Sequence, residues 1–224
     1  MKKIILLVAL SSVFLSYSQE DENKQEKKYQ VTGKVYFGFG LQLHDAFTLN
    51  KKLQASNVAE LNSTRPEFQV GINIFGKKYS GDMEFGFSQQ EADNATTKNK
   101  DMSFTGRLRV HYNLVNQEKF AFTSGLSLAA TSTEVDLYAR NNSIDFNNLN
   151  PNGTGGMITL RNQMFYIGPS ASVYLFRDKG YKLRINVGYE FAFTNGKWKS
   201  DYGSINNTVK ENGNNRLYIG LVLF

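Results

Sequence analysis

The stretch MSFTGRLRVHYNL, residues 102–114, decides how the chain is read. Met102, Phe104, Leu108, Val110, Tyr112 and Leu114 fall on one face of an extended segment, opposed by Ser103, Thr105, Arg107, Arg109, His111 and Asn113. Successive side chains leave a pleated strand on opposite faces, so a period of two marks a strand with one apolar and one polar face. Gly106 is its only weak apolar position. The same alternation sets Phe68, Val70, Ile72 and Ile74 against Glu67, Gln69, Gly71 and Asn73. It sets Leu183, Ile185, Val187, Tyr189, Phe191 and Phe193 against Lys182, Arg184, Asn186, Gly188, Glu190 and Ala192. Further strand-like segments lie near residues 31–44, 79–89, 120–131, 163–176 and 216–224, which makes eight.

The connections carry the next step. Gly76-Lys77-Lys78, Asn116-Gln117-Glu118-Lys119 and Arg177-Asp178-Lys179-Gly180 read as tight turns. Residues 45–66, 90–101, 132–162 and 194–215 read as long polar loops, the last two rich in Asn. Short and long connections therefore alternate, as they do when an up-and-down barrel keeps short turns at one rim and long loops at the other. The expected fold is all-β: an eight-stranded antiparallel up-and-down transmembrane β-barrel.

Alternation alone does not say which face points inward, since a soluble lipocalin-like barrel keeps its apolar face inside. The polar face here holds Gly38, Gly40, Gly71, Gly86, Gly125, Ser127, Gly168, Ser170, Ser172, Gly188 and Ala192. Small residues suit a narrow lumen, whereas glycine on a water-facing strand weakens it for no gain. The apolar face carries large aromatics near the strand ends: Phe75, Tyr79, Tyr112, Phe120, Phe122 and Tyr181 by the short turns, and Phe85, Phe87, Phe104, Phe165, Phe191 and Phe193 toward the long loops. Two such girdles match the two water interfaces of a bilayer. A one-residue slip of the fourth strand would turn Arg107 and Arg109 to lipid at roughly 2–4 kcal/mol each, so the register is firmly specified.

The N-terminus begins with Lys2 and Lys3, continues with an apolar run from Ile4 to Leu15, and offers Ser16 and Ser18. This is the layout of a cleaved secretory signal peptide, residues 1–18, with the cut expected between Ser18 and Gln19. Residues 19–30, with mixed charges from Glu20 to Lys28, read as a flexible periplasmic tail, and residues 31–224 as the barrel. No later apolar run is long enough for a membrane-spanning helix. The absence of cysteine excludes disulfides, thiolate metal sites and an acylated cysteine anchor. The formal charge of +6 comes from scattered Lys and Arg, and with export this argues against a nucleic-acid partner.

With these features the chain resembles the small outer-membrane barrels of the OmpA/OmpX type, particularly the generic outer-membrane β-barrel proteins common in Bacteroidota. The resemblance spans residues 31–224. Its most specific part is Leu217-Tyr218-Ile219-Gly220-Leu221-Val222-Leu223-Phe224, which is similar to the signal read by the barrel-assembly machinery. Tyr218, Val222 and Phe224 share one face as that signal requires, with Gly220 a weak member, and Gln19 after the signal peptide resembles Bacteroidota exports. The resemblance implies a Gram-negative outer-membrane location among outer-membrane lipid and lipopolysaccharide; the C-terminal peptidoglycan-binding domain that some relatives carry is not expected after the last strand. It implies location and fold more firmly than activity.

Parity places Lys34, Arg107, Arg109, Lys182 and Arg184 in the lumen with Glu67, Asp82, Glu84 and Glu190, and permits Glu84 to face Arg107 and Asp82 to face Arg109. Such a set serves either as a charge network that plugs the barrel or as a narrow ion path; the former is preferred because side chains largely fill an eight-stranded interior. His44 and His111 have lumen parity but lie toward opposite ends, so one metal cannot bridge them. Eight-stranded lipid A deacylases use a His-x-Ser pair, whereas His111 is followed by Tyr112 and Asn113, and His44 by Asp45 and Ala46. No Ser, His and acid constellation is visible, and no catalytic residue, cofactor or metal is expected. Loop residues Tyr138, Phe146, Trp198 and Tyr202 are recognition candidates, weighed against solvated loops with Trp198 anchored at the headgroup level. The leading expectation is a non-enzymatic envelope protein that contributes to integrity, presents its loops to partners, or serves a larger membrane complex as an accessory subunit. A narrow channel for ions or small solutes and a lipid-modifying enzyme are the alternatives.

Overall fold

The computed structural model describes residues 32–140, 157–178 and 182–224, all within one compact unit from Val31 to Phe224. The expected signal peptide and tail, Phe146 and Tyr181 lie outside the described residues. Eight strands follow one another: β1 (Thr32–His44), β2 (Thr64–Phe75), β3 (Tyr79–Asp93), β4 (Thr97–Asn116), β5 (Phe120–Ala139), β6 (Met157–Leu175), β7 (Leu183–Ala192) and β8 (Arg216–Leu223). A short helix, α1 (Asn50–Ala55), stands in the β1–β2 connection. Each strand pairs antiparallel with the next, and β8 closes onto β1 from Phe37 opposite Leu223 to His44 opposite Arg216. Closure leaves no strand edge in hydrocarbon, where each unpaired backbone group costs several kcal/mol.

The apolar face points outward. Phe39 is 70% exposed and Phe104 63%, while Glu84 and Arg184, on the opposite face, are 0% exposed. A water-soluble barrel buries these groups the other way round, so this exterior is a surface for acyl chains. On β4 the outward apolar set runs from Phe104 to Leu114, about 33 Å along the strand at ~3.3 Å per residue and about 25 Å along the bilayer normal at a tilt near 40°. Aromatic pairs mark its limits: Phe87 with Phe104, tilted at 5.0 Å, toward the long loops, and Tyr79 with Tyr112, edge-on at 5.6 Å, by the short turns.

Two features differ from the sequence expectation. Residues 90–101 are not a long loop: β3 and β4 continue pairing to Asp93 opposite Lys98, and the connection is Asn94-Ala95-Thr96. The Asn94 side chain accepts from Thr96 N (3.0 Å) and Thr97 N (2.8 Å) and so fixes the turn. β5 and β6 likewise run on to Ala139 and back from Met157. Above the bilayer an outward residue has no reason to be apolar, so Glu91, Lys98 and Lys100 hid the strand from a search for alternating hydrophobicity. The second difference is Phe75, expected in the girdle but buried inside the inner end of the barrel, with Ala121 and Tyr174. It shares the inward parity of Asn73 and Gly71. Tyr218, Val222 and Phe224 do share a face, and it is the lumen; Leu217, Ile219, Leu221 and Leu223 face outward.

Inward glycines make room for larger neighbours. A methyl group at Gly71 would overlap the Tyr36 ring, and one at Gly86 would overlap the Glu67 carboxylate. The narrow lumen therefore trades small residues on one strand for large polar ones on the next.

Candidate functional site

Every strand sends at least one polar group into the lumen, and the middle of the barrel is an ionic core. Arg107 on β4 is its hub. Its Nε lies 2.7 Å from Glu190 Oε1 on β7, its Nη1 lies 3.2 Å from Glu67 Oε1 on β2, and Nη1 also contacts Glu84 on β3. Arg109 pairs with Asp82 at 2.6 Å and Glu84 at 2.9 Å, and Arg184 on β7 reaches across to Asp82 at 3.1 Å. Arg216 on β8 holds the second oxygen of Glu190 at 2.6 Å and donates to Gln42 and Thr131, each at 3.0 Å. Higher up, Arg65 lies 3.1 Å from Asp101.

Tyrosines complete the packing. Tyr36 donates to Asp82 (3.1 Å) or Glu84 (3.0 Å), and the Tyr218 hydroxyl lies 3.3 Å from Glu84. The Arg107 guanidinium sits 4.0 Å over the Tyr218 ring, Arg184 4.4 Å over Tyr36 and Arg216 4.0 Å over Tyr166. Ring faces are electron-rich, so this stacking stabilises cations withdrawn from water. In this core five buried arginines (65, 107, 109, 184 and 216) stand against Glu67, Asp82, Glu84, Asp101 and Glu190; two further buried acids, Asp136 and Glu211, lie nearer the outer end and accept from uncharged donors. Equal numbers of opposite charge are what a medium of low dielectric demands, because a lone buried charge is far costlier than a bonded pair.

Of the lumen residues named from sequence, seven occupy this core. Lys34 and Lys182 do not: they lie at the inner mouth, around a cavity of about 40 Å³ with Asn73, Tyr174, Arg177 and Phe224. Long ammonium side chains at a strand end reach water at less cost than they enter a dry core. Arg65, Asp101, Arg216 and Tyr36 have no place in the sequence reading, and Tyr218 has one only in the assembly signal. Arg65 and Asp101 fell in segments taken for loops, where parity is undefined. Arg216 and the tyrosines had the right parity and were recognisable only once β8 was known to face β1 and β7.

Aromatic and apolar side chains pack at both ends of the lumen. At the inner end Phe75 packs edge-on against Tyr174 at 5.0 Å, with Phe224 5.6 Å from Tyr36. At the outer end α1 and the β7–β8 connection fold over the opening, and Phe47, Leu49, Leu53, Leu61, Val135 and Trp198 form a small apolar cluster. Glu211 ties this cap together. It accepts from Trp198 Nε1 (2.7 Å), Thr48 N (2.6 Å) and Leu49 N (3.0 Å). Trp198 is thus 3% exposed and is a cap residue, which corrects the expected headgroup anchor. Its alternation within residues 196–199 turns it inward, where an apolar cluster and a carboxylate are both waiting. Tyr202 is 79% exposed, and Tyr138 is half-buried on β5, bonded to Asp136 at 3.3 Å.

The histidines are held apart. His44, at the outer end, bonds Asn214 and Gln42, both at 2.9 Å, and stacks on Phe47. His111, toward the inner end, bonds Ser170 Oγ at 2.7 Å and Thr123 Oγ1 at 2.8 Å. That histidine–serine pair was invisible in sequence because it joins β4 to β6. A threonine occupies the place where a nucleophile-activating triad has an acid, and both partners are buried. Among the described residues no three ligating side chains group as a metal site.

No family model matches the sequence, and no curated protein matches it. Solved structures similar to it include Ail, the attachment invasion locus protein of Yersinia pestis, at 8% identity, 85% of this chain, 95% of that one and a TM-score of 0.46. Another is a major outer membrane protein from Thermus thermophilus, at 9% identity, 85% and 99% coverage and a TM-score of 0.49. A third is Neisserial surface protein A, at 11% identity, 86% and 97% coverage and a TM-score of 0.34. The fold itself is a closed eight-stranded antiparallel barrel with an apolar exterior. At such identities the likeness is one of fold alone.

Proposed function

We propose that the protein is a sealed, non-enzymatic barrel of a Gram-negative outer membrane, serving the envelope as a rigid scaffold that holds the outer ends of β3–β6 and the loops clear of the bilayer. The observation that carries this reading is the lumen. Its acids and arginines pair across non-neighbouring strands, and aromatic and apolar side chains pack at its two ends. A conducting pore needs a continuous wet path and mobile counter-ions. An enzyme needs an accessible group in search of a proton or a substrate, and here the buried carboxylates are already bonded.

The test is electrical. Purified full-length protein inserted in planar bilayers is expected to give no discrete conductance steps, and reproducible salt-dependent steps would overturn the sealed reading. Overexpression is expected to leave the lipid mass spectrum unchanged, and a new lipid species would overturn the non-enzymatic reading. Purification from native membranes in mild detergent separates an autonomous scaffold from an accessory subunit, which would carry a stoichiometric companion.

A further inference from the structure

The β7–β8 connection adds two isolated β-bridges at the outer end of the sheet. Arg161 N donates to Lys199 O at 2.7 Å and Lys199 N to Arg161 O at 2.9 Å, while Glu211 N donates to Gly196 O at 2.8 Å. The bridges set Arg161 opposite Lys199, and Lys197 opposite Lys210. Trp198 and Glu211 point into the cap, so alternation puts Lys197, Lys199 and Lys210 outward, and all three are exposed.

Like charges directly opposite on one face of an antiparallel pair repel. Arg161 is compensated by Glu134 at 2.6 Å and by Asp201. Among the described residues, no acid lies within ion-pair distance of Lys197, Lys199 or Lys210, and the nearby Glu211 is committed to Trp198. Beside these lysines is a groove of about 270 Å³ lined by Lys197, Lys199, Ser200, Ile205 and Thr208. It offers two ammonium groups, two hydroxyl donors and one apolar wall, a set suited to a phosphate with a greasy attachment.

Height identifies the source of that phosphate. Phe165 and Phe193, 6.3 Å apart, close the outer edge of the apolar belt. Arg161 and its partner Lys199 lie four residues beyond Phe165, about 10 Å above that edge for ~3.3 Å per residue and a tilt near 40°, and Lys197 is lower by about half as much. This is the level of lipid headgroups. We propose that the Lys197–Lys199–Lys210 face binds the phosphorylated headgroup of an outer-leaflet lipid, whose acyl chains lie over Phe165 and Phe193. The inference depends on the bilayer orientation of the barrel but not on whether the lumen is sealed.

The test uses the full chain in mild detergent and native mass spectrometry, with bisphosphorylated lipid A, its dephosphorylated form and inorganic phosphate as probes. The wild type is expected to retain bisphosphorylated lipid A. The triple variant K197Q/K199Q/K210Q should retain it at least tenfold more weakly, with an unchanged strand signal in circular dichroism. A variant with the same loss of charge elsewhere, K51Q/K52Q/K119Q, should bind as the wild type does. Equal retention by wild type and K197Q/K199Q/K210Q, equal retention of the dephosphorylated lipid, or an equal loss in K51Q/K52Q/K119Q would each overturn the proposal. Displacement of the lipid by millimolar inorganic phosphate would overturn the lipid as the source.

Discussion

Arg107 on β4 and Glu190 on β7 meet across the lumen, Nε to Oε1 at 2.7 Å, although their strands are not neighbours in the ring. The pair acts as a strut between opposite walls. Deleting one end leaves its partner buried and under-compensated, so R107M should lower the unfolding free energy by about 3–5 kcal/mol. The double variant R107M/E190Q should lose less than the sum of the single changes. Urea titrations in lipid vesicles, followed by circular dichroism, measure all three, and strict additivity would mean the two residues do not interact.

Ile72 faces outward near the middle of the apolar belt, opposite Met83. I72R should cost about 2–4 kcal/mol of folding free energy in a bilayer. Q89R, on the same side of β3 but beyond Phe87, should be close to neutral. Equal effects at both positions would place the membrane boundary wrongly.

The close approach of Tyr36 to Gly71 predicts that G71A overpacks the lumen, at a cost of about 1–3 kcal/mol. Gly106 faces open space on the outside. G106A should therefore be tolerated, and it serves as the control in the same unfolding assay. A harmless G71A would show that the tyrosine ring has room to move.

Trp198 holds the cap, and W198A should cost about 3–5 kcal/mol locally as the apolar cluster opens. Hydrogen exchange should accelerate at Leu53 and Leu61, while the amides of the barrel wall stay protected. Unchanged protection at Leu53 would remove Trp198 from the role of keystone. Planar-bilayer recordings of W198A should stay silent, since Arg107, Arg109 and Arg216 still fill the lumen beneath.

The wall of the barrel was legible because one physical constraint repeats along it: lipid on one side and a tight polar space on the other. Residues 102–114 state that constraint without ambiguity, and parity permits the opposition of Asp82 to Arg109 and Glu84 to Arg107 that the strand register produces. Above the membrane the constraint disappears. Thr97–Asp101 and Ser132–Ala139 are strand because they pair with each other, and pairing between polar segments leaves no hydrophobic signature. Trp198 failed for a related reason. A lone tryptophan in a polar loop near a membrane suggests an interface, and only the placement of Phe47, Leu53 and Val135 reveals the pocket that claims it. Lys34 and Lys182 had the parity of the core but lay too near its end.

Arg216 and Tyr218 belong to β8, and the groups they hydrogen-bond lie on β1, β3, β5 and β7. A seven-stranded intermediate would hold Glu190 with one guanidinium instead of two and leave Glu84 with one hydroxyl, that of Tyr36, instead of two, besides offering two raw backbone edges to hydrocarbon. Halfway insertion is therefore no resting place. The final hairpin works as a latch, so a truncated or stalled polypeptide should not linger in the membrane as a leaky remnant.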